Sequence, residues 1–164
     1  MPPAAIRDAN GRPILSWRVL LLPYLDQQNL FQQFHLDEPW DSPHNLKLLE
    51  QIPEQYQPLK EIHWTEQEPA KGMTFHQAIV GPGTVFDPQG VRISDIENGD
   101  GFSNTLMIAN GVKPVPWTKP EDIPFDPNGP PPQIGQVTLN KHYGFLGIGT
   151  TSTSGYRILL ADGS

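Results

Sequence analysis

Two groups of residues in this sequence have the types and spacing that chemistry needs. His35, Asp37, Asp41 and His44 crowd one short stretch, and imidazole nitrogens beside carboxylate oxygens are the donor set for zinc or another borderline metal if they converge. The same four hold an acid and a base for hydrolysis. No serine stands in a Gly-x-Ser-x-Gly elbow, however, and no second catalytic block accompanies them, so the chain reads as non-enzymatic. Asp41 and Ser42 are better explained as helix caps, and His35 as a packed or capping histidine. The second group, Asp95, Glu97, Asn98, Asp100 and Ser103, is the densest cluster of oxygen ligands in the chain. Calcium favours flexible loops of this composition. The spacing is not that of an EF-hand, though, and Asp-Gly elements equally make ordinary turns. The expectation is therefore a structural turn and no cofactor, with calcium on Asp95, Glu97 and Asp100 as the alternative.

Four tryptophans offer flat faces for sugars or peptides. Trp17 and Trp40 fall inside an apolar corner and are expected as core anchors, and Trp64 as the anchor of a wrapping segment. Trp117 lies in a Pro-rich loop next to Lys119, and these two are the expected surface binding residues.

The elements that must position these groups centre on residues 16–51, SWRVLLLPYLDQQNLFQQFHLDEPWDSPHNLKLLEQ. Leu22, Leu25, Leu30, Phe31 and Phe34 recur at helical spacing, with Asp26 and four glutamines between them. Pro23 lacks the N–H that a helix interior needs but fits a first turn, so a short turn over 17–22 feeding a helix over 23–34 is expected. Ser42 and Pro43 repeat the device as N-cap and first helical residue of a second short helix, with Leu46, Leu49 and Ile52 on its buried side. Between the two helices, Asp37-Glu38-Pro39-Trp40-Asp41 turns the chain.

Composition bounds the rest. The 164 residues suit one domain, and 19 prolines with 15 glycines make it rich in loops. A net charge of −7 with no basic run works against nucleic acid and anionic lipid, both of which need clustered Lys and Arg. The absence of cysteine removes disulfides and thiolate chemistry and leaves the redox compartment open. No run is long and apolar enough for a membrane span. Both ends look clipped, the C-terminus stopping at the reversal signal Asp162-Gly163-Ser164.

Further along, Asn10-Gly11 makes a surface turn, and prolines 53, 58 and 69 punctuate an extended segment. Residues 74–80 alternate as a strand closed by Gly81-Pro82-Gly83, a turn-like passage holds Ile93 and Ile96, and residues 105–109 form a buried strand. A long loop over 114–132 follows. Strands over 142–148 and 156–161 flank the small-residue stretch 149–155, expected as flexible chain. Helical turns joined by the Pro/Trp corner, before several strands, give an α+β class, with an antiparallel β-rich head and long Pro-rich loops expected.

The chain resembles the bacterial family called domain of unknown function 1559. The resemblance rests on Ser16-Trp17-Arg18-Val19-Leu20-Leu21-Leu22-Pro23-Tyr24-Leu25, on Phe34-His35-Leu36-Asp37-Glu38-Pro39-Trp40-Asp41-Ser42-Pro43-His44-Asn45, on Asp95 through Thr105, on Pro116-Trp117-Thr118-Lys119-Pro120-Glu121-Asp122, and on Ala161-Asp162-Gly163-Ser164. Full-length members look like type IV pilins and type II secretion pseudopilins: a basic leader, a prepilin cleavage and methylation site, a long apolar helix, then a β-rich head. The resemblance implies that this chain is such a head, lacking the anchoring helix and a final C-terminal strand. It also implies a cell-envelope location, periplasmic or extracellular, and work through protein partners or self-assembly, with membrane contact only through the missing helix. A ligand- or protein-binding module is the alternative.

Overall fold

The computed structural model describes residues 3–58, 69–142 and 150–164. The expected Trp64 anchor and most of the expected strand over 142–148 lie outside these residues. The chain opens with a hairpin, β1 (Ala5–Arg7) against β2 (Pro13–Ser16). Its turn works as the Asn10-Gly11 pair implies: Asp8 Oδ1 accepts from the Asn10 and Arg12 amides, and Gly11 takes φ 78°, which other residues resist. Ser16 ends β2 and caps α1 (Trp17–Leu20), its Oγ accepting from the Arg18 amide at 3.2 Å.

The helix expected over 23–34 is broken. Leu22–Leu25 is a 3-10 turn with Pro23 in its first residues, Asp26 then adopts a left-handed φ of 58°, and α2 (Gln28–Phe31) follows as a single turn. Apolar spacing put Leu22, Leu30 and Phe34 correctly in the core. It cannot register a single left-handed residue that reorients one turn against the next. The second helix is likewise one 3-10 turn, Asn45–Leu48, and its buried side chains are Asn45 and Leu48, with Leu46 exposed. Its N-cap is His44 and not Ser42, and Pro43 precedes the helical residues; Ser42 Oγ still accepts from the Asn45 amide at 3.1 Å, whereas Asp41 is exposed.

The main sheet runs β5-β3-β4-β8, formed by β3 (Met73–Val80), β4 (Leu106–Pro116), β5 (Ile123–Pro124) and β8 (Ile158–Leu160). β3 pairs antiparallel with β4, and β4 with β8, but β5 lies parallel to β3, so the sheet is mixed and not purely antiparallel. Between β3 and β4, the passage at Ile93 and Ile96 is a short helix, α3 (Ile93–Asn98), and not a turn. β4 is twice the expected length, running on through Asn110-Gly111 into the first prolines of the expected loop. A second hairpin pairs β6 (Gln136–His142) with β7 (Thr150–Tyr156), so the small residues expected as flexible chain are strand. Thr and Ser satisfy a ladder as well as they do a linker, and composition alone does not separate the two.

The helical turns pack on the face of the sheet that carries Ala78 and Ile108. Its centre is aromatic: Trp17 meets Tyr56 edge-on at 6.2 Å, Phe34 meets Trp117 edge-on at 5.7 Å, and Tyr56 stacks on Trp117 at 6.0 Å. The opposite face carries a smaller cluster of Ile79, Ala109 and Ile123. Both faces of β3 are thus covered. The class is α+β, as composition and order imply.

Candidate functional site

The corner between the helical turns is held by one amide. Asn45 is fully buried; its Oδ1 accepts from the His35 amide at 3.0 Å, while its Nδ2 donates to the carbonyls of His35, Glu38 and Pro39. This closes the loop that Pro39 bends. His35 and His44 therefore meet face to face, with ring centroids 3.5 Å apart and planes within 4°. His35 Nδ1 lies 2.9 Å from Glu38 Oε1, and His44 Nε2 lies 2.7 Å from the Gln33 carbonyl. The His35 ring and a hydrogen bond with Ser42 hold the Glu38 carboxyl below its ordinary value. Stacked rings aim their nitrogens outward at separate partners, and Asp37 and Asp41 are exposed. The four residues thus form a packed corner and not a converging ligand set. Trp40 is only partly buried, with its face 5.6 Å from Lys119 Nζ and its amide on the Ile14 carbonyl.

A second hub, which the residue types alone did not single out, lies where α1 meets the sheet. Arg18 is fully buried and uses its whole guanidinium. Nε donates to the His76 carbonyl at 2.7 Å, Nη1 to Ser16 Oγ at 2.7 Å and to the Lys119 carbonyl, and Nη2 to Asp122 Oδ1 at 3.0 Å. Asp122 Oδ1 also accepts from Trp17 Nε1 at 3.0 Å and from the Ala78 amide at 2.8 Å. Burial pulls the Arg18 guanidinium down from its ordinary value, and the Asp122 carboxylate opposes that pull. The available signal was a lone cation in the apolar run 17–22, because a charge there must find a partner or leave the core.

Trp117 is not a surface residue. It is fully buried, and its Nε1 donates to the Leu49 carbonyl at 2.9 Å, which ties the end of β4 to the second helical turn. Lys119 instead faces outward and pairs with Glu121 at 2.5 Å. Proline density suggested a loop here, but β4 runs through Pro114 and Pro116, both half-buried, and delivers Trp117 into the core. The expected binding pair therefore dissolves. In the acidic group, Asp95 Oδ2 accepts from the Arg92 amide at 3.2 Å, closing the first turn of α3. Among the described residues, no three His, Cys, Asp or Glu side chains come together as a metal-holding group.

A cavity of about 300 Å³ lies between α1, the Tyr56 turn and the end of the sheet. Its wall is mostly apolar: Trp17, Leu21, Leu25, Tyr56, Ile108, Ala109, Ile158 and Leu159, with Gln55, His76 and Arg157 as the polar members. His76 sits opposite Asn110 in the β3–β4 register, with Nδ1 3.3 Å from Thr74 Oγ1. Burial, helped by the Arg157 and Arg18 charges, pushes its imidazole down to about 4, so the ring is neutral at pH 7. Burial also raises the Tyr56 phenol, whose hydroxyl donates to the Arg18 carbonyl at 3.1 Å.

Residues 1–64 match the family described as Protein of unknown function (DUF1559). Over that segment, about two fifths of the chain, the sequence is similar to the DUF1559 family. No curated protein and no solved structure matches the chain. The DUF1559 segment contains the Asn45 corner, Arg18, Trp17 and one wall of the cavity. The remainder of the chain supplies what the segment needs to be buried: Asp122 for Arg18, Trp117 for the Phe34 and Tyr56 rings, and β3 and β8 for the opposite wall. The later blocks of the resemblance, from Asp95 onward, lie beyond the matched residues.

Proposed function

We propose that the chain is the non-enzymatic globular head of a pilin-like or pseudopilin-like protein of the cell envelope, acting through assembly or surface interaction. The observation that carries this reading is the use made of the chemically capable residues in the family segment. Arg18, Asn45, His35 and His44 all hold backbone or stack on each other, so the segment works as a scaffold that fixes a shape. Family similarity over residues 1–64 and the pilin-like organisation implied by the resemblance point the same way. The acidic balance suits protein partners or self-assembly over nucleic acid.

Reading the gene upstream tests it. The expected parent encodes a short basic leader, a processing site and a long apolar helix, and fractionation should place the product in the envelope. A parent with no such helix would remove the pilin-like reading. Calcium has no assigned part in it: millimolar calcium is expected to leave the melting temperature unchanged, and a shift reversed by chelator and lost in Asp95→Ala with Asp100→Ala would establish an ion site. A second reading, a ligand-binding module, is favoured by the cavity behind Tyr56.

A further inference from the structure

We propose that the cavity between α1 and the β4–β8 edge binds a small amphiphilic anion, an apolar tail ending in one carboxylate. This site is independent of how the head is anchored or assembled. Its size falls at the lower end of small-molecule pockets, which are concave, mostly apolar and carry a few placed polar groups. The inner wall is made by Trp17, Leu21, Leu25, Ile108 and Leu159, none of which offers a hydrogen bond to a polar ligand except through the Trp17 N–H, and that donor is already held by Asp122.

Among the described residues the charge on the wall has one sign: none of those lining the cavity is Asp or Glu although the chain carries a net −7, and the one formal charge they bring is the Arg157 guanidinium. Arg157 is exposed at the mouth, and among the described residues its side chain makes no ion pair. Its backbone is fixed, because its carbonyl accepts from the Asn110 amide at 3.1 Å just before β8. His76 faces the same space as a neutral ring held by Thr74 Oγ1, so it adds no competing charge. An apolar tail would displace water from the Leu-lined end, and its carboxylate would meet a guanidinium whose planar fork suits two oxygens.

Decanoate is the probe, with decanol and a decylammonium salt as comparisons, all below their micelle-forming concentrations. Binding can be followed by calorimetry and by the fluorescence of Trp17 in the wall. Decanoate should bind saturably at one site, about tenfold more tightly than decanol, and the decylammonium salt should bind more weakly than either. Each pair of methylenes removed from the acid should weaken binding by about tenfold. Arg157→Gln should bring decanoate down to the affinity of decanol, and Ile158→Trp at the half-exposed rim should weaken both. Both substitutions fall on exposed side chains, and an unchanged melting temperature confirms that each variant is folded. Equal affinity for decanoate and decanol on the wild-type chain overturns the proposal without any variant. So does an Arg157→Gln protein that binds decanoate as the wild type does, or binding that never saturates.

Discussion

A buried charge is a commitment that its surroundings must honour, and Arg18 shows how many residues that takes. Five hydrogen bonds from one guanidinium reach β2, β3 and the chain after β4, and a single oxygen of Asp122 returns the charge while also accepting from Trp17 and Ala78. Asp122→Ala removes the counter-charge and leaves three donors short of an acceptor. It should cost about 3 to 5 kcal/mol in urea denaturation, and Asp122→Asn, which keeps an acceptor oxygen, clearly less. The tryptophans separate in the same way. Trp117→Ala should cost about 3 to 5 kcal/mol, because it empties a site packed by Phe34 and Tyr56, whereas Trp40→Ala, at a half-open position, should cost well under that. Equal losses would show that Trp40 is as deeply packed as Trp117. Residue types announced the apolar anchors well and the polar ones poorly. Asp122 looks like any loop carboxylate in sequence, and only the fold brings it to an arginine 104 positions away.

At the scale of elements, the periodic signals located strands, and what they missed was mostly set by long-range pairing. β3 formed within one residue of its alternating pattern, whereas the turn expected to start on Ser42 and Pro43 starts two residues later, at Asn45, with Ser42 Oγ holding the Asn45 amide. The break at Asp26 and the length of β4 depend on what each segment packs against, which local pattern does not encode. The parallel placement of β5 is another such case, and one glycine decides it. A Cβ built on Gly81 would fall on the Phe125 carbonyl, where the Phe125 amide already pairs with Val80 at 2.8 Å. Gly81→Ala should therefore push β5 off β3 at a cost of about 1 to 3 kcal/mol. Hydrogen exchange should show the Phe125 amide losing protection while amides of the β3–β4 ladder keep theirs. Uniform loss across the sheet would mean instead that β5 is integral to the whole fold.

For the whole molecule, the main sheet and the helical turns share one interior, so a group buried between them makes global stability depend on pH. His76 is that group, sharing the cavity wall with Arg157 and Tyr56 and bonded through its carbonyl to the Arg18 guanidinium. Its folded value of about 4 lies below the ordinary 6.5, so between those two values the unfolded chain binds a proton that the folded chain refuses. The stability it contributes is complete above about pH 6.5 and is lost as pH falls towards 4, amounting to about 3 kcal/mol over that window. The carboxylates held below their ordinary values, Asp8, Glu38, Asp87 and Asp162, act in the same direction but at lower pH, since each loses its contribution only as pH falls through its own depressed value. Urea midpoints of the wild type should therefore decline from pH 7 to pH 4.5, before carboxylate protonation dominates. His76→Gln should flatten that decline while lowering the plateau at neutral pH. A variant that retains the full wild-type slope would assign the pH dependence to other groups and place His76 in contact with solvent.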